Sequence, residues 1–213
     1  MDIGDYPGRG VLVRRRPDGG FEWAYFVTGR SESSRRRRAR RVGDVVYIEP
    51  TGWLQADPLR HYACARPFSE GLIVGNGDHI DVLAEQLDVG VGLDAALARI
   101  APEPDPPINT PRIGAVIRER SAVLFSVADI QGAIERRSTE LPPGPHTLAV
   151  LTTYEGPAGE PIGSAPLHLL SNDEPIERLV DDLWSSLPVD LRVLLVGATG
   201  SSLSGCRLIH QQP

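Results

Sequence analysis

Three short segments of the sequence combine residue types that bind an anion or a polar planar ligand. Residues 29–35 read Gly-Arg-Ser-Glu-Ser-Ser-Arg and follow an apolar run, which predicts a loop at the end of a strand. Arginine offers a planar fork of donors that matches phosphate, and serine hydroxyls complete such a cage. The loop is therefore a candidate phosphate site, and a solvated basic loop is the alternative.

The second and third segments are a glycine-flanked turn and a loop held by prolines. Residues 75–81 read Gly-Asn-Gly-Asp-His-Ile-Asp and lead into a predicted helix, whose free amide groups attract an anion. The plainer interpretation is a helix cap with His79 on the surface, since neither a P-loop nor a Rossmann spacing is present. Residues 109–112 read Asn-Thr-Pro-Arg, and such a rigid loop binds a polar planar ligand at little ordering cost. The start of a strand with a turn hydrogen bond is the alternative there.

A predicted strand places Tyr62, Cys64 and Arg66 in one row, because alternate residues of a strand share a face. Cys64 has no activating histidine in its pattern, so the sequence favours a buried structural thiol over a nucleophile. Tyr25, on the strand that leads to Arg30, is either a core residue or a residue that stacks on a ligand. The sequence contains neither a nucleophile elbow nor a cluster with metal-ligand spacing, so we expect no metal.

The distribution of charge limits the classes of partner. All 22 basic residues are arginine, which excludes chemistry that needs a lysine amine. Seven of them lie in residues 30–41, whereas the whole chain carries a net charge of −6. An acidic protein with one basic segment does not suit nucleic-acid wrapping, which needs a basic face to displace counterions. We therefore expect a small anionic ligand and no nucleic acid.

The hydrophobic pattern predicts the elements that position these segments. A hairpin is predicted over residues 10–28. Further strands are predicted over residues 44–48, 62–66, 71–74, 113–117, 122–127, 146–154 and 191–196, and the last range is expected to be the final strand of the chain. Helices are predicted over residues 80–87, 94–100 and 176–184, the first with Asp78 as N-cap and the last with Asp173 or Glu174. The high glycine or proline content predicts surface connections over residues 137–145 and 155–166. This pattern predicts an α+β fold with antiparallel sheets, and the length favours one domain over residues 1–213.

Two further expectations concern the surroundings of the chain. No window approaches the roughly 18 apolar residues that a membrane-spanning helix needs, so we expect no membrane association. The residues after Met1 form neither a basic nor an apolar signal region, which makes the cytoplasm the simplest location. The sequence leaves the oligomeric state open, with a homo-oligomer as one alternative.

Taken in order, these segments resemble the archaeal-type inosine monophosphate (IMP) cyclohydrolase family. The matching pieces are Tyr25 with Arg30, Ser31 and Arg35; Tyr62, Cys64 and Arg66; Asn76, Gly77, His79 and Asp81; Asn109, Thr110, Pro111, Arg112 and Ile113; and Thr153, Tyr154 and Glu155. The likeness covers roughly residues 8–155 and is looser in the last third. One such piece is a weak indication, but five in the same order are specific.

The resemblance implies a four-layer αββα sandwich like that of the N-terminal-nucleophile hydrolases, without that nucleophile. It also implies an enzyme that closes a formamido-imidazole-carboxamide ribonucleotide to IMP with loss of water, the last step of purine synthesis, with no cofactor. Tyr62 is then the expected hydrogen-bond donor or proton carrier, and Arg112 stabilises negative charge. The expected substrate-binding residues are Tyr25, Arg30, Ser31, Arg35, Cys64, Arg66, Asn76, Gly77, Asn109 and Thr110. Which of Arg35, Arg36, Arg37 and Arg38 faces the site is left open.

The chain departs from the family's pattern just before Asn109. The family usually carries Tyr-Glu-Lys-Asp there, whereas residues 103–107 read Glu-Pro-Asp-Pro-Pro, without the tyrosine and the lysine. Glu103 or Asp105 is the expected substitute for the acid and base groups, and the family's Tyr-Asn-Cys triplet has become Tyr-Ala-Cys at residues 62–64. These changes keep two alternatives open. One is a divergent enzyme of the same fold acting on a related nucleotide or heterocyclic amide in specialised metabolism, and the other is a non-catalytic nucleotide-binding protein.

Overall fold

The computed structural model describes residues 3–52, 57, 59–157, 163–171 and 174–211 of the chain. The strands are β1 (Arg9–Arg15), β2 (Phe21–Thr28), β3 (Arg37–Val42), β4 (Val45–Pro50), β5 (Tyr62–Phe68), β6 (Gly71–Gly75), β7 (Arg112–Arg118), β8 (Ala122–Ile130), β9 (Ala133–Glu140), β10 (Thr147–Thr152), β11 (Leu167–Ser171), β12 (Arg192–Thr199) and β13 (Arg207–His210). The helices are α1 (Glu32–Arg35), α2 (His79–Asp88), α3 (Leu93–Leu97) and α4 (Ile176–Ser186). In these ranges no helix is long and apolar enough to cross a membrane.

The strands form two antiparallel sheets. The six-stranded sheet has the order β11-β10-β1-β2-β12-β13, and the seven-stranded sheet runs in the order β3-β4-β5-β6-β7-β8-β9. The hairpin predicted over residues 10–28 is present as β1 and β2, and its turn contains Gly19 with a φ of 86°, a conformation that glycine adopts without strain. The predicted α+β class with antiparallel sheets is therefore confirmed.

Three groups of buried apolar side chains show how the layers stack. The first lies between the two sheets, the second between the seven-stranded sheet and helices α2 and α3, and the third between the six-stranded sheet and helix α4. Neighbouring residues of β2 belong to different groups, Trp23 to the first and Ala24 to the third, because successive side chains of a strand point to opposite faces. The layers therefore follow the order helix, sheet, sheet, helices.

The structure corrects the predicted strands at both edges of the sheets. Strand β3 lies within the arginine-rich run, and residues 137–140, predicted as a surface connection, belong to β9. Both edge strands are largely exposed, so their sequences lack the apolar alternation that reveals a half-buried strand. No pattern predicts β11, and β13 follows β12, so the strand predicted as the last is not the last.

Two predicted helix caps also differ from the structure. Helix α2 begins after Asp78 as predicted, but this residue has a helical φ of −60° and its side chain makes no capping hydrogen bond. Its carboxylate pairs with Arg112 instead, at 2.7 Å. The N-cap of helix α4 is Pro175 and not Glu174, and Asp173 lies outside the described residues.

A β-bulge in β5 changes which side chains share a face. Two neighbouring residues of β4 lie opposite Ala63 and Ala65, so Cys64 is an extra residue on its strand. An extra residue reverses the alternation of side chains beyond it. Cys64 stays between the sheets, whereas Arg66 lies on the other face and pairs with Asp81 of helix α2 at 2.5 Å. The predicted single row is therefore wrong for Arg66.

Candidate functional site

A polar cavity of about 380 Å³ lies where the N-terminal segment, the arginine-rich loop and the proline-rich loop meet. Its lining residues are Tyr6, Gly8, Arg9, Thr28, Ser31, Ser34, Arg37, Asp57, Leu59, Arg60, Glu103, Asp105, Ile108, Thr110 and Tyr154. Three arginines and three carboxylates thus surround it, with several hydroxyl groups between them. The volume is in the range of small-molecule sites, and the lining suits a ligand that carries charge and several hydrogen-bonding groups.

Glu103 is the centre of a buried ion network on the cavity wall. Only 3% of this residue is exposed, and its two carboxylate oxygens accept hydrogen bonds from Arg9 at 2.6 and 2.7 Å. Its Oε1 atom also accepts from Arg112 at 3.1 Å. A carboxylate has about four acceptor positions, so three are taken and about one remains for a ligand.

The Arg9 guanidinium is held in the charged state by these neighbours. Burial acts to lower its pKa, but the charge of Glu103 and the hydrogen bonds to Glu103 raise the pKa well above its ordinary value. Arg9 also donates to the main-chain oxygen of Asn76 at 3.2 Å. It is therefore a fixed cation at the junction of the two sheets.

The glycine-flanked turn positions Arg112. The Asn76 side chain is fully buried, donates to the Pro111 carbonyl at 2.8 Å and accepts from the Ile113 amide at 2.7 Å, so it joins the turn to β7. A Cβ atom on Gly77 would lie 1.9 Å from Nη1 of Arg112, so only glycine leaves room for this guanidinium. Asn76 and Gly77 therefore hold the ion network in place but do not line the cavity.

His79, at the start of helix α2, is buried, and the expectation of a surface residue is wrong because its ring packs edge-on against Phe125 at 5.9 Å. Neither ring nitrogen has a hydrogen-bond partner among the described residues. Burial, and then the charge of Arg112, lower its pKa well below the ordinary value, so the ring is neutral at pH 7.

A pair of tyrosines lies between the sheets, next to Arg9. The hydroxyls of Tyr25 and Tyr62 are 2.7 Å apart, and both residues are buried. Burial and the neighbouring Tyr62 raise the pKa of Tyr25 well above its ordinary value. Cys64 is fully buried in the same core, where burial also raises the pKa of its thiol. The structure therefore places Cys64 as the buried thiol that the sequence favours.

An aromatic stack closes one wall of the cavity. The rings of Tyr6 and Tyr154 are stacked at 5.5 Å, and the guanidinium of Arg30 lies 4.9 Å from the centre of the Tyr6 ring. The Tyr154 hydroxyl is 2.5 Å from Oγ1 of Thr110, and burial raises the pKa of this tyrosine. A Cβ atom on Gly8 would lie 2.4 Å from the Tyr154 ring, so the close approach requires glycine there.

Arg37 is the arginine of residues 35–38 that lines the cavity. Strand alternation turns Arg38 outward, where it pairs with Glu49 at 2.7 Å. The Nε atom of Arg37 is buried and has no hydrogen-bond partner within the described ranges. Arg35 donates to the Asp190 carbonyl at 3.0 Å and lines a separate cavity of about 530 Å³.

The structure gathers only part of the predicted site around the cavity. Ser31, Glu103, Asp105 and Thr110 line it; Asn76, Gly77 and Arg112 support Glu103; Arg30 stacks on the wall; and Tyr25, Tyr62 and Cys64 lie between the sheets. Asn109 donates to Asp129 at 3.1 Å, outside the cavity, and Arg66 lies under helix α2. Among the described residues, no group of three His, Cys, Asp or Glu side chains could hold a metal ion.

Sequence reasoning missed Tyr6, Arg9, Arg60 and Tyr154 as lining residues and left Arg37 as one of four candidates. Arg9 does carry a signal, because it is a single arginine between two glycines at the start of an apolar strand. Tyr154 lies in one of the segments that carry the family resemblance. Nothing in the local sequence distinguishes Arg37 from its neighbours, since its direction depends on the register of β3.

Two antiparallel sheets between helical layers, with a buried arginine and carboxylate network beside a polar cavity, define an α+β protein whose cavity suits a small charged ligand. The sequence model of the IMP cyclohydrolase-like protein family matches residues 6–203, and the chain therefore belongs to this family.

Curated relatives agree with this assignment. An IMP cyclohydrolase of Methanothrix thermoacetophila is 35% identical over 164 residues, which cover 74% of this chain and 78% of the relative. The IMP cyclohydrolase of Methanococcus aeolicus is 30% identical over 155 residues, 70% of this chain and 74% of the relative. That of Haloquadratum walsbyi is 29% identical over 190 residues, 86% of this chain and 87% of the relative.

Proposed function

We infer that this chain is an enzyme of purine biosynthesis that closes a formamido-imidazole-carboxamide ribonucleotide to IMP and releases water. The family match over residues 6–203 and the curated relatives support this activity. The observation that carries it structurally is Glu103, buried between Arg9 and Arg112 on the wall of a cavity with room for a small ligand.

The reaction joins two groups of one molecule. The carboxamide nitrogen attacks the formyl carbon, a C–N bond forms, and the formyl oxygen leaves as water with one proton from each of the two nitrogens. The protein must hold the conformer in which the two groups meet, stabilise the charge that develops on the formyl oxygen, and move the protons. The atoms of substrate, product and water balance without another reactant.

The residues contributed by the arginine-rich loop suit the phosphate of the nucleotide. Ser31 and Ser34 line the cavity with hydroxyl groups, and Arg37 supplies a guanidinium whose Nε has no partner in the described part of the chain. We propose Ser31 and Arg37 as phosphate ligands, and Arg30 as a further ligand from the aromatic wall. The Ser34 hydroxyl donates to the Ser31 carbonyl at 2.8 Å and so holds this turn in place. Arg37 then takes the position that the sequence suggested for Arg35.

The proline-rich loop suits the reacting groups. We propose that the remaining acceptor position of Glu103 binds the carboxamide N–H and takes its proton, while Arg9 stabilises the formyl oxygen. Arg112 holds Glu103 in place and balances its charge. Tyr62, the donor that the family resemblance implies, lies between the sheets with its hydroxyl 2.7 Å from that of Tyr25 and does not line the cavity, so we assign it no direct contact with the ligand.

We also propose that the chain forms one domain of the N-terminal-nucleophile hydrolase type, over residues 1–213. The order helix, sheet, sheet, helices supports this proposal, as does the continuous apolar group between the two sheets. The fold would then serve here as a scaffold, with the reaction carried by charged side chains at one edge of the sheets.

A cyclisation assay tests the activity. Purified protein is incubated with the formylated nucleotide, and IMP formation is followed by absorbance; a rate no higher than the uncatalysed one contradicts the proposal. Glu103→Gln should lower kcat at least a hundredfold, whereas the control Glu49→Gln, at a carboxylate outside the cavity that pairs with Arg38 and Arg40, should retain activity. Calorimetric binding of the nucleotide without turnover would indicate a non-catalytic binding protein instead.

A further inference from the structure

Three side chains on the cavity wall form a hydrogen-bonded chain that fixes the orientation of one hydroxyl group. Asp105 accepts two hydrogen bonds from Thr110: its Oδ1 from the main-chain amide at 2.6 Å and its Oδ2 from Oγ1 at 2.5 Å. The same Oγ1 atom is 2.5 Å from the hydroxyl of Tyr154. All three residues line the cavity.

The direction of each hydrogen bond in this chain follows from the number of hydrogens. A carboxylate only accepts, so the single hydrogen of the Thr110 hydroxyl is directed to Asp105. Thr110 can then only accept from Tyr154, whose own single hydrogen is used in that bond. The phenol oxygen of Tyr154 therefore has lone pairs but no hydrogen left for a ligand.

The position of the Tyr154 hydroxyl is fixed as firmly as its direction. Its ring is stacked on Tyr6 at 16° between the ring planes, and a Cβ atom on Gly8 would lie 2.4 Å from one edge of the ring. Tyr154 is 7% exposed, and its main-chain amide donates to Pro7. Because this hydroxyl cannot move or turn, a ligand that contacts it must offer a hydrogen-bond donor.

We propose that Tyr154 is a specificity-determining residue that accepts a hydrogen bond from an N–H or O–H group of the ligand, and that Thr110 and Asp105 are the positioning residues that make it an acceptor. This inference rests on the proposed function, in which the ligand is a nucleotide with a carboxamide and ribose hydroxyls. Phosphate and carbonyl groups, which only accept, find no donor at the Tyr154 hydroxyl and are directed to the arginines.

Nucleotide binding without turnover tests the proposal. Aminoimidazole-carboxamide ribonucleotide, which lacks the formyl group, is titrated calorimetrically into wild type and Tyr154→Phe. Loss of one hydrogen bond should weaken binding about three- to tenfold, while the control Tyr47→Phe on β4 should bind as wild type does. Unchanged affinity in folded Tyr154→Phe would overturn the proposal. The titration needs no catalysis, so it separates this failure from a failure of the cyclisation assay.

A variant that reverses the direction of these hydrogen bonds tests the proposal more sharply than one that removes a hydrogen bond. In Asp105→Asn the main-chain amide of Thr110 still requires an oxygen, so the side-chain NH2 must face Oγ1 and donate to it. Thr110 then donates to Tyr154, which turns its hydrogen towards the ligand. We expect Asp105→Asn to weaken binding at least as much as Tyr154→Phe, and to add almost nothing in the Tyr154→Phe background. Additive losses would contradict the proposed coupling.

Substitutions at Thr110 separate positioning from a purely structural role. Thr110→Ser keeps the hydroxyl and should bind the nucleotide within twofold of wild type, whereas Thr110→Val removes it and should behave as Tyr154→Phe does. The 2′-deoxy nucleotide then identifies the donor. If the ribose 2′-hydroxyl is the donor, wild type binds this analogue more weakly than the ribonucleotide, whereas Tyr154→Phe binds the two equally. If another N–H or O–H group of the ligand is the donor, each protein binds the two nucleotides equally. Equal binding by the serine and valine variants would overturn the proposal.

Discussion

Two sets of arginines in this protein differ in their surroundings, and the difference decides what each set can do. Arg9 and Arg112 are 8% and 5% exposed and share the carboxylate of Glu103. Arg38, in the arginine-rich run, is exposed and pairs with Glu49 on the surface. Buried charges act on a ligand through a low dielectric, whereas water and salt screen the exposed ones. The number of arginines in a segment is thus a poor guide to where binding occurs.

Removing the shared carboxylate should have the largest effect. Glu103→Gln leaves the buried Arg9 without a counter-charge, and we expect the free energy of unfolding to fall by about 3–5 kcal/mol in urea titrations. Glu49→Gln should change it by less than about 1 kcal/mol, because the partners of Glu49, Arg38 and Arg40, are more than half exposed and screened by water. A loss below about 1 kcal/mol in both variants would remove the distinction between the two sets. Adding Arg9→Met to Glu103→Gln should recover part of the loss.

Arg37 should behave as a binding residue and Arg38 as a surface residue, although they are neighbours. Arg37→Ala removes a guanidinium from the cavity, and we expect nucleotide binding to weaken by about 2 kcal/mol, or about thirtyfold. Arg38→Ala should leave affinity within twofold, because it changes only an exposed pair. Calorimetric titration of both variants measures this, and equal losses would assign binding to the whole basic run.

Gly77→Ala tests how closely the turn fits Arg112. The added Cβ atom would meet Nη1 of Arg112 at 1.9 Å, so the guanidinium must move away from Glu103. We expect a loss of stability of about 1–2 kcal/mol and a lower kcat in the cyclisation assay. Gly205→Ala is the matched control, because its Cβ would meet no atom within 4 Å and its φ lies outside the left-handed region. Comparable losses in both variants would indicate a general effect of replacing glycine.

The buried His79 should make stability depend on pH. Its pKa is lowered in the folded state by burial and by the charge of Arg112, so below about pH 6.5 the unfolded chain binds a proton that the folded protein does not. Stability should therefore fall with decreasing pH from about 6.5, by at most about 1.4 kcal/mol per pH unit from this residue. His79→Leu should lose that part of the slope between pH 7 and 5.5. Urea unfolding of both proteins at several pH values measures the difference between their slopes. The pKa of His210 is also lowered, but its contribution is the same in both proteins and cancels. Parallel slopes would contradict the prediction.

Much of the fold follows from local pattern, and the exceptions have a physical cause. The β1–β2 hairpin, β5 to β8 and helices α2 and α4 are confirmed because each has an apolar face that its sequence displays. The edge strands β3 and β9 have little buried surface, so no alternation marks them. The bulge at Cys64 depends on pairing with β4, which no local pattern contains.

The candidate site could be predicted in its residue types more than in its geometry. Glu103 and Arg112 were both indicated by the segments in which they lie, and the structure joins them at 3.1 Å. Arg9 is 94 residues from Glu103 in sequence, and their two hydrogen bonds exist only because β1 and the proline-rich loop meet. The position of Asn109 beside Asp129, outside the cavity, follows in the same way from packing.

The amino-acid sequence by itself determined the α+β class and the family. It also determined that arginine supplies every basic side chain other than histidine. These follow from hydrophobic period, ordered motifs and composition, which are properties of the chain before it folds. Only the tertiary structure decided that Arg9, Arg37 and Tyr154 line one cavity and that the Tyr154 hydroxyl donates to Thr110. Burial, strand register and the direction of a hydrogen bond depend on contacts between distant segments, and those contacts exist only in the folded protein.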